Sequence, residues 1–352
     1  MRIALIGLPQ SGKTSLFDAL TGRHDEPGGY AAPGSTHLGV AHIVDPRADA
    51  VAELLQPKKT TYASLEFVDI AGLFAGEKAP PGAVDAMRDT DGLMKVIRAF
   101  PDETVPHPRG SLDPKRDLAE IEGDILITDL DIAERSIETL ERSVHKPTPR
   151  QEEDKERLAI LRRCHEQLEG PGRLDLSPDE ERVVRSYSFL TRKPALTILN
   201  IGDGQIGDDA ATDALGEVQG IVLPVCAAME RELLDLDPGD RAEFLDDLGL
   251  EELSGQKIVQ ACLETLGLIT FFTASEKEVR AWLIPQGSTA LEAAGRIHSD
   301  IARGFIRAEV ALCDEFLECG SWRELHAQGR SRLEGKEYIV QNGDIIHVRF
   351  NV

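Results

Sequence analysis

Residues 2–6, RIALI, run straight into GLPQSGKT, which leads into SLFDALTG. No other stretch restricts the fold as tightly. RIALI reads as a fully buried strand and SLFDALTG as a helix ending at Gly22. The eight residues between them satisfy G-x-x-x-x-G-K-[ST] from Gly7 to Thr14. Glycines in such a loop let backbone N–H groups turn inward around an anion. A lysine at position 13 can reach phosphate oxygens, and the Thr14 hydroxyl suits Mg²⁺. The helix N-terminus adds a favourable dipole. Pro9, Gln10, Ser11, Gly12, Lys13, Thr14 and Ser15 are therefore the candidate phosphate contacts, and the motif sits in the strand–loop–helix context it requires.

Further apolar strands are expected at 38–44, 64–70, 93–100, 194–200 and 220–226, with a helix at RADAVAELL. Strands alternating with helices point to a parallel sheet covered on both faces. SLEFVDI ends in Asp69-Ile70-Ala71-Gly72. A carboxylate at the end of a buried strand can hold Mg²⁺, and the Gly72 N–H can meet a terminal phosphate. The plain alternative for Asp69 is a turn cap. Asn200-Ile201-Gly202-Asp203 follows a later strand, where N-K-x-D reads the base in GTP-binding proteins. Ile201 replaces the Lys, so that signal is half intact. Cys226 and Ala227 end the next strand, where a backbone N–H can reach a purine. A small buried residue explains Cys226 equally well.

Between residues 115 and 190 the chain is charged, with apolar residues three or four apart, and KPTPR interrupts it. This predicts an antiparallel helical hairpin with its tip near Pro147 and Pro149. From Leu268, the runs LITFF, VRAWLI, FIRAEVAL, EYIVQ and DIIHVRF read as short strands around a helix at TALEAAGRIH, a β-grasp arrangement. Gly28–Ser35 reads as a mobile loop. The 352 residues allow two or three domains, and 41% hydrophobic residues allow a sizeable core.

The net charge of −23 disfavours sequence-independent attachment to nucleic acid, and no DNA partner is expected. Residues 268–352 hold 10 basic and 12 acidic residues, so 21 of the net negative charges precede them. The C-terminal segment is thus the part least repelled by RNA. The five cysteines, Cys164, Cys226, Cys262, Cys313 and Cys319, form no C-x-x-C pair, which argues against a disulfide framework or zinc knuckle. No secretory leader and no apolar run long enough for a membrane span is read, and the expected compartment is the cytoplasm.

The order of motifs resembles the YchF group of Obg-related P-loop NTPases over nearly the whole chain. GLPQSGKTSLFDALTG, DPRADAVAELLQPKKTTYASLEFVDIAGL, VIRAF with LDPKRDLAEIEGDILITDLDIAE, and the C-terminal LITFFTASEKEVRAWLIPQGSTALEAAGRIHSDIARGFIRAEV and EGKEYIVQNGDIIHVRF carry it. The resemblance implies an α/β P-loop NTPase domain with a parallel sheet (1–117 and 190–267). It also implies an inserted α-helical coiled-coil hairpin (118–189) and a C-terminal β-grasp (TGS) domain (268–352). Family members hydrolyse ATP, often better than GTP, and associate with ribosomes and stress responses. Leu73 stands where water-positioning relatives carry Gln, which implies slow turnover.

The chain also departs from the family pattern. Asn and Val are usual where Gln10 and Ser11 stand, and that Asn helps bind potassium in related enzymes, so potassium activation is left open. The Thr of the loop-closing segment falls on Pro33, with Ser35 or Thr36 as substitutes by shift only. The second switch loop is shorter and contains Pro80 and Pro81. The base loop ends in Asp203 where Glu is usual, and Asp is the residue that reads guanine, so Asp203 favours GTP while Ile201 and the family habit favour ATP.

The expectation is a slow, Mg²⁺-dependent purine nucleoside triphosphate hydrolase, ATP slightly favoured over GTP, yielding diphosphate and phosphate. Lys13, Asp69 and Gly72 serve catalysis, Thr14 and Asp69 hold the metal, and Asn200, Ile201, Asp203, Cys226 and Ala227 frame the base. It would act as a switch on the ribosome, at its large subunit or ribosomal RNA, and not at a membrane. The alternatives are a nucleotide-binding regulatory module with little turnover and a P-loop metabolic kinase.

Overall fold

The computed structural model describes residues 1–22, 36–70, 82–145, 149–248, 250 and 252–351. The stretch 28–35, with Pro33 and Ser35, lies outside them, as do Ala71, Gly72, Leu73, Pro80, Pro81 and Pro147. The described strands are β1 (Arg2–Ile6), β2 (Thr36–His42), β3 (Lys59–Thr61), β4 (Ser64–Ile70), β5 (Gly92–Arg98), β6 (Ala195–Asn200), β7 (Val222–Val225), β8 (Leu268–Ala274), β9 (Glu278–Pro285), β10 (Phe305–Leu312), β11 (Arg332–Glu334) and β12 (Asp344–Phe350). By contacts the chain forms two units, Met1–Gly39 with Glu66–Glu251, and Val40–Leu65 with Glu252–Val352.

The first sheet has the order β2-β4-β1-β5-β6-β7. β1 pairs in parallel with β4 and β5, and β6 lies parallel between β5 and β7. Near-continuous apolar runs are what strands covered on both faces require, and all seven residues of β5 are buried. Two of those seven are cationic, and each has partners, although Arg98 Nη1 is left without one among the described residues. Lys95 Nζ pairs with Glu122 at 2.6 Å. The Arg98 guanidinium donates to the carbonyls of Phe100, Asp102 and Val105 and lies over the Phe100 ring. The register sets Leu5 opposite Asp69, and Arg98 and Val225 opposite Asn200, so the carboxyl ends of the strands bring these residues to one edge. Crevices at that edge are where open α/β sheets bind ligands.

The helical hairpin is present. Its first helix, Pro114–Ser143, starts on the Asp113 carboxylate, which accepts from the Arg116 N–H, with proline in the first turn. The second is Gln151–Glu169. Ser143 bonds Asp154 at 2.7 Å and Arg162 pairs with Glu141 at 2.7 Å, so the two run antiparallel. Leu140, Leu158, Leu161 and Leu168 share their apolar seam. Asp129, fully buried, accepts from the Leu190 N–H and from the N–H and hydroxyl of Thr191, tying the long helix to the returning chain.

In the second unit the sheet order is β11-β10-β12-β8-β9-β3. The helix Ala290–Ile297, opened by a Thr289/Glu292 capping box, lays Ala290, Ala293 and Ala294 against Phe271, Ile284, Phe305 and Ile346. Two expectations are corrected here. EYIVQ is not a strand. Ile339 makes an isolated bridge to Thr289, and the edge strand is β11, because Tyr338 turns inward to bond Asp344. Residues 40–65 were expected with the nucleotide domain but group with the C-terminal unit. The reason is that β3 pairs in parallel with β9, Lys59 opposite Glu278, and Arg47 bonds Asn342. All five cysteines are free thiols. Among the described residues no helix is long and apolar enough to cross a membrane.

Candidate functional site

The loop after β1 turns sharply at positions that only glycine fits. A Cβ on Gly7 would lie 2.3 Å from the Val96 carbonyl oxygen of β5. At Gly12 φ is +89°, and a Cβ would lie 2.0 Å from Asn200 Nδ2. Gln10 also sits in the left-handed region, φ 61°, a conformation that costs a non-glycine residue energy and recurs at ligand clamps. The helix Lys13–Thr21 begins at Gly12 with no side-chain cap, so its first N–H groups face the loop's concavity.

Lys13 is buried, and its Nζ donates to the carbonyls of Gly7 (2.8 Å) and Leu8 (2.9 Å). Burial lowers its pKa to about 8, against the pull of Asp69. Thr14 Oγ1 donates to Asp69 Oδ2 at 2.9 Å, the contact that joins helix and β4. Asp69 is 6% exposed, and its other oxygen, Oδ1, has no hydrogen-bond partner among the described residues. A buried carboxylate oxygen without a donor calls for a cation. A hydroxyl and one carboxylate, completed by water and phosphate oxygens, is the donor set Mg²⁺ takes. No group of three or more His, Cys, Asp and Glu side chains that could hold a metal occurs among the described residues, so a protein-only metal cage is not present there.

The loop after β6 behaves differently from its sequence. Asn200 is 4% exposed and is a clamp. Its Nδ2 donates to the Ser11 carbonyl at 2.9 Å, and its Oδ1 accepts from the Ala227 N–H at 3.1 Å. That N–H, expected to reach a purine, is therefore engaged within the protein. Ile201 was expected beside the base, yet its side chain is packed inside at 5% exposure, as an apolar group must be where a lysine would extend into water. Asp203 is exposed, and its carboxylate accepts from the Gly204 N–H at 2.8 Å. Cys226 is buried, and burial raises its thiol pKa. The structure thus brings Pro9 through Ser15, Asp69, Asn200 and Ala227 together, and sets Asp203 and Cys226 beside them at the same strand ends. Gly72 lies outside the described residues.

Three residues escaped the sequence reading. Arg98 pins the segment after β5. His107 Nε2 and Asp117 share a 2.8 Å hydrogen bond, and Asp117 also accepts from Arg116. Arg98, His107 and Asp117 line a small cleft behind the loop with Leu8, Pro9 and Ser11. An arginine inside an otherwise apolar strand was the signal available for the first. Nothing in the spacing marked the other two.

Residues 2–139 match a family described as "50S ribosome-binding GTPase", and residues 268–351 match YchF-GTPase_C, described as a protein of unknown function (DUF933). The chain is 38% identical over 365 residues to the "Ribosome-binding ATPase YchF" of Pasteurella multocida, covering 100% of this chain and 99% of that protein. It is 33% identical over 362 residues to the protein of the same name from Bacillus subtilis, covering 99% and 98%. The solved YchF GTPase of Schizosaccharomyces pombe superposes with a TM-score of 0.81 at 27% identity, covering 99% of this chain and 97% of that one. With full-length relatives above 30% identity and this phosphate loop, the chain belongs to the YchF family of P-loop NTPases.

Proposed function

We propose that this protein is a Mg²⁺-dependent ATPase of the cytoplasm that turns over slowly and signals its nucleotide state to the ribosome. The observation that carries the reading is the Thr14–Asp69 hydrogen bond with the orphaned Asp69 Oδ1 beside it, next to the buried Lys13 ammonium. Thr14 and Asp69 would hold Mg²⁺, which supplies charge neutralisation at the transferred phosphoryl group. Lys13 exchanges its two loop carbonyls for phosphate oxygens and places a positive charge where negative charge develops. The N–H groups at the start of helix Lys13–Thr21 add donors aimed the same way. The ribosome and ATP come from the relatives named "Ribosome-binding ATPase YchF"; the choice of ATP over GTP is our reading.

The base loop supports that choice at Ile201 and opposes it at Asp203. In GTP-binding proteins guanine is read by an Asp carboxylate that accepts from N1 and N2, with a lysine packed over the ring. Here Ile201 is turned inward and supplies no cation over the ring, whereas Asp203 accepts one N–H through Oδ1 and keeps Oδ2 open to a base. The test is parallel equilibrium binding of ATP and GTP analogues with Mg²⁺, followed by phosphate release with and without ribosomes, in potassium and in sodium. ATP is expected to bind more tightly, and Lys13→Ala to abolish binding of both. Tighter GTP binding would overturn the base assignment. Saturable binding without phosphate release above background would reduce the protein to a nucleotide-binding module.

A further inference from the structure

The parallel sheet has a second end, away from the phosphate loop. Near the start of β5 and β6 lies a cavity of about 710 Å³, between Leu93, Ala195 and Gly220 on the sheet side and Gly123, Leu126 and the turns at 171–174 and 190–193 on the other. That volume falls in the range of small-molecule sites. Four cations line it, Lys95, Arg173, Arg192 and Lys193, against one carboxylate, Glu122, in a chain whose net charge is −23.

Two of these cations are neutralised locally, Lys95 by Glu122 at 2.6 Å and Arg192 by Glu181 at 2.8 Å. The other two make no close ion pair with a described carboxylate, although Asp91, Asp89 and Asp129 act on Lys193 from further off. Lys193 Nζ donates to the carbonyls of Arg88 and Thr90, and burial lowers its pKa. Arg173 is exposed and makes no hydrogen bond or ion pair with a described residue. The remaining wall is mostly apolar, with Leu93, Ile125, Leu126, Leu174 and Leu190 beside the polar Thr191 and Gln219. Gly123 stands in the interior of the helix Pro114–Ser143, where glycine costs about 1 kcal/mol relative to alanine. A Cβ there would meet nothing within 4 Å, so no packing demand explains the glycine, and the missing side chain widens the cavity.

We propose that this cavity binds a small organic phosphate. Its phosphate lies against Arg173 and Lys193 and its apolar part against Leu93, Leu126 and Leu190. Guanidinium offers the planar donor fork that matches phosphate oxygens, and the Lys193 ammonium adds a second charge once it exchanges the Arg88 and Thr90 carbonyls for phosphate oxygens. The site is separate from the phosphate loop and does not depend on hydrolysis there.

The probes are phenyl phosphate and inorganic phosphate, titrated calorimetrically into the full chain, wild type and variants. Phenyl phosphate should bind one per chain, more tightly than inorganic phosphate. Arg173→Glu should weaken it roughly tenfold or more, the loss of one charge-assisted hydrogen bond. Gly123→Leu fills open space in a helix, should leave thermal unfolding no lower than wild type, and should abolish binding by occupancy. Lys13→Ala should leave the binding intact. The proposal is overturned by absence of binding, or by affinity unchanged in both cavity variants. Loss only in Lys13→Ala would mean that the probe occupies the phosphate loop. Equal affinity for the two probes would overturn the organic part of the ligand.

Discussion

Replacing Asn200 by alanine separates the clamp from the base reader. The side chain is 4% exposed and holds two backbone groups, the Ser11 carbonyl at 2.9 Å and the Ala227 N–H at 3.1 Å. Alanine leaves both without a partner inside the protein. Each unsatisfied buried group costs about 1–3 kcal/mol, so the variant should lose about 2–4 kcal/mol, allowing one group to find water. Both groups belong to the nucleotide loop and its neighbour, so ATP and GTP affinities should fall together. The two tryptophans, Trp282 and Trp322, lie in the C-terminal unit, so their fluorescence does not report on this loss. Hydrogen exchange of the buried β1, β5 and β6 amides does, since it reads opening free energies locally. Two results would refute the reasoning: protection unchanged to within about 0.5 kcal/mol, or a fall in GTP affinity with ATP affinity intact. The second would make Asn200 a base contact.

Asp69→Asn keeps a hydrogen-bond partner for Thr14 but removes the charge, and should raise the Mg²⁺ concentration for half-maximal phosphate release by about tenfold or more; an unchanged Mg²⁺ titration would remove Asp69 from the metal site. Gly7→Ala forces a methyl against the Val96 carbonyl, 2.3 Å away, and should lower the stability of the first unit by about 1–3 kcal/mol; the urea midpoint of far-UV ellipticity checks it. The Lys13 pKa of about 8 sets a pH dependence. Because folding lowers this lysine's pKa from 10.5, its burial penalty is fully present below about pH 8 and fades as pH rises from there toward 10.5. Nucleotide phosphates favour the charged form, so MgATP affinity should be flat below pH 8 and fall as pH rises above it, and the fall should be absent in Lys13→Arg. Titrations between pH 7 and 9.5 decide this.

Much of the molecule was readable from local signals. The phosphate loop is a contiguous pattern whose glycines, lysine and threonine act where they stand. The apolar strands and the long helices are likewise governed by residues within a few positions of one another. The carboxylate at the end of β4 was legible because a buried strand rarely ends on a charge without a partner.

What could not be read depended on which distant segments meet. That the Asn200 amide bridges Ser11 and Ala227, 189 and 27 residues away, is not legible in the motif. Residues 40–65 precede β4 in the chain, yet they join the C-terminal unit through the pairing of β3 with β9. Arg98 and Lys95 violate the apolar pattern of β5, and only the carbonyls after that strand and the Glu122 carboxylate across from it make them tolerable. A sequence states the hydrogen-bonding capacity and the polarity of each side chain. Which partner satisfies it is settled by the packing of segments far apart in the chain, because a buried polar group is stable only where the whole fold delivers its partner.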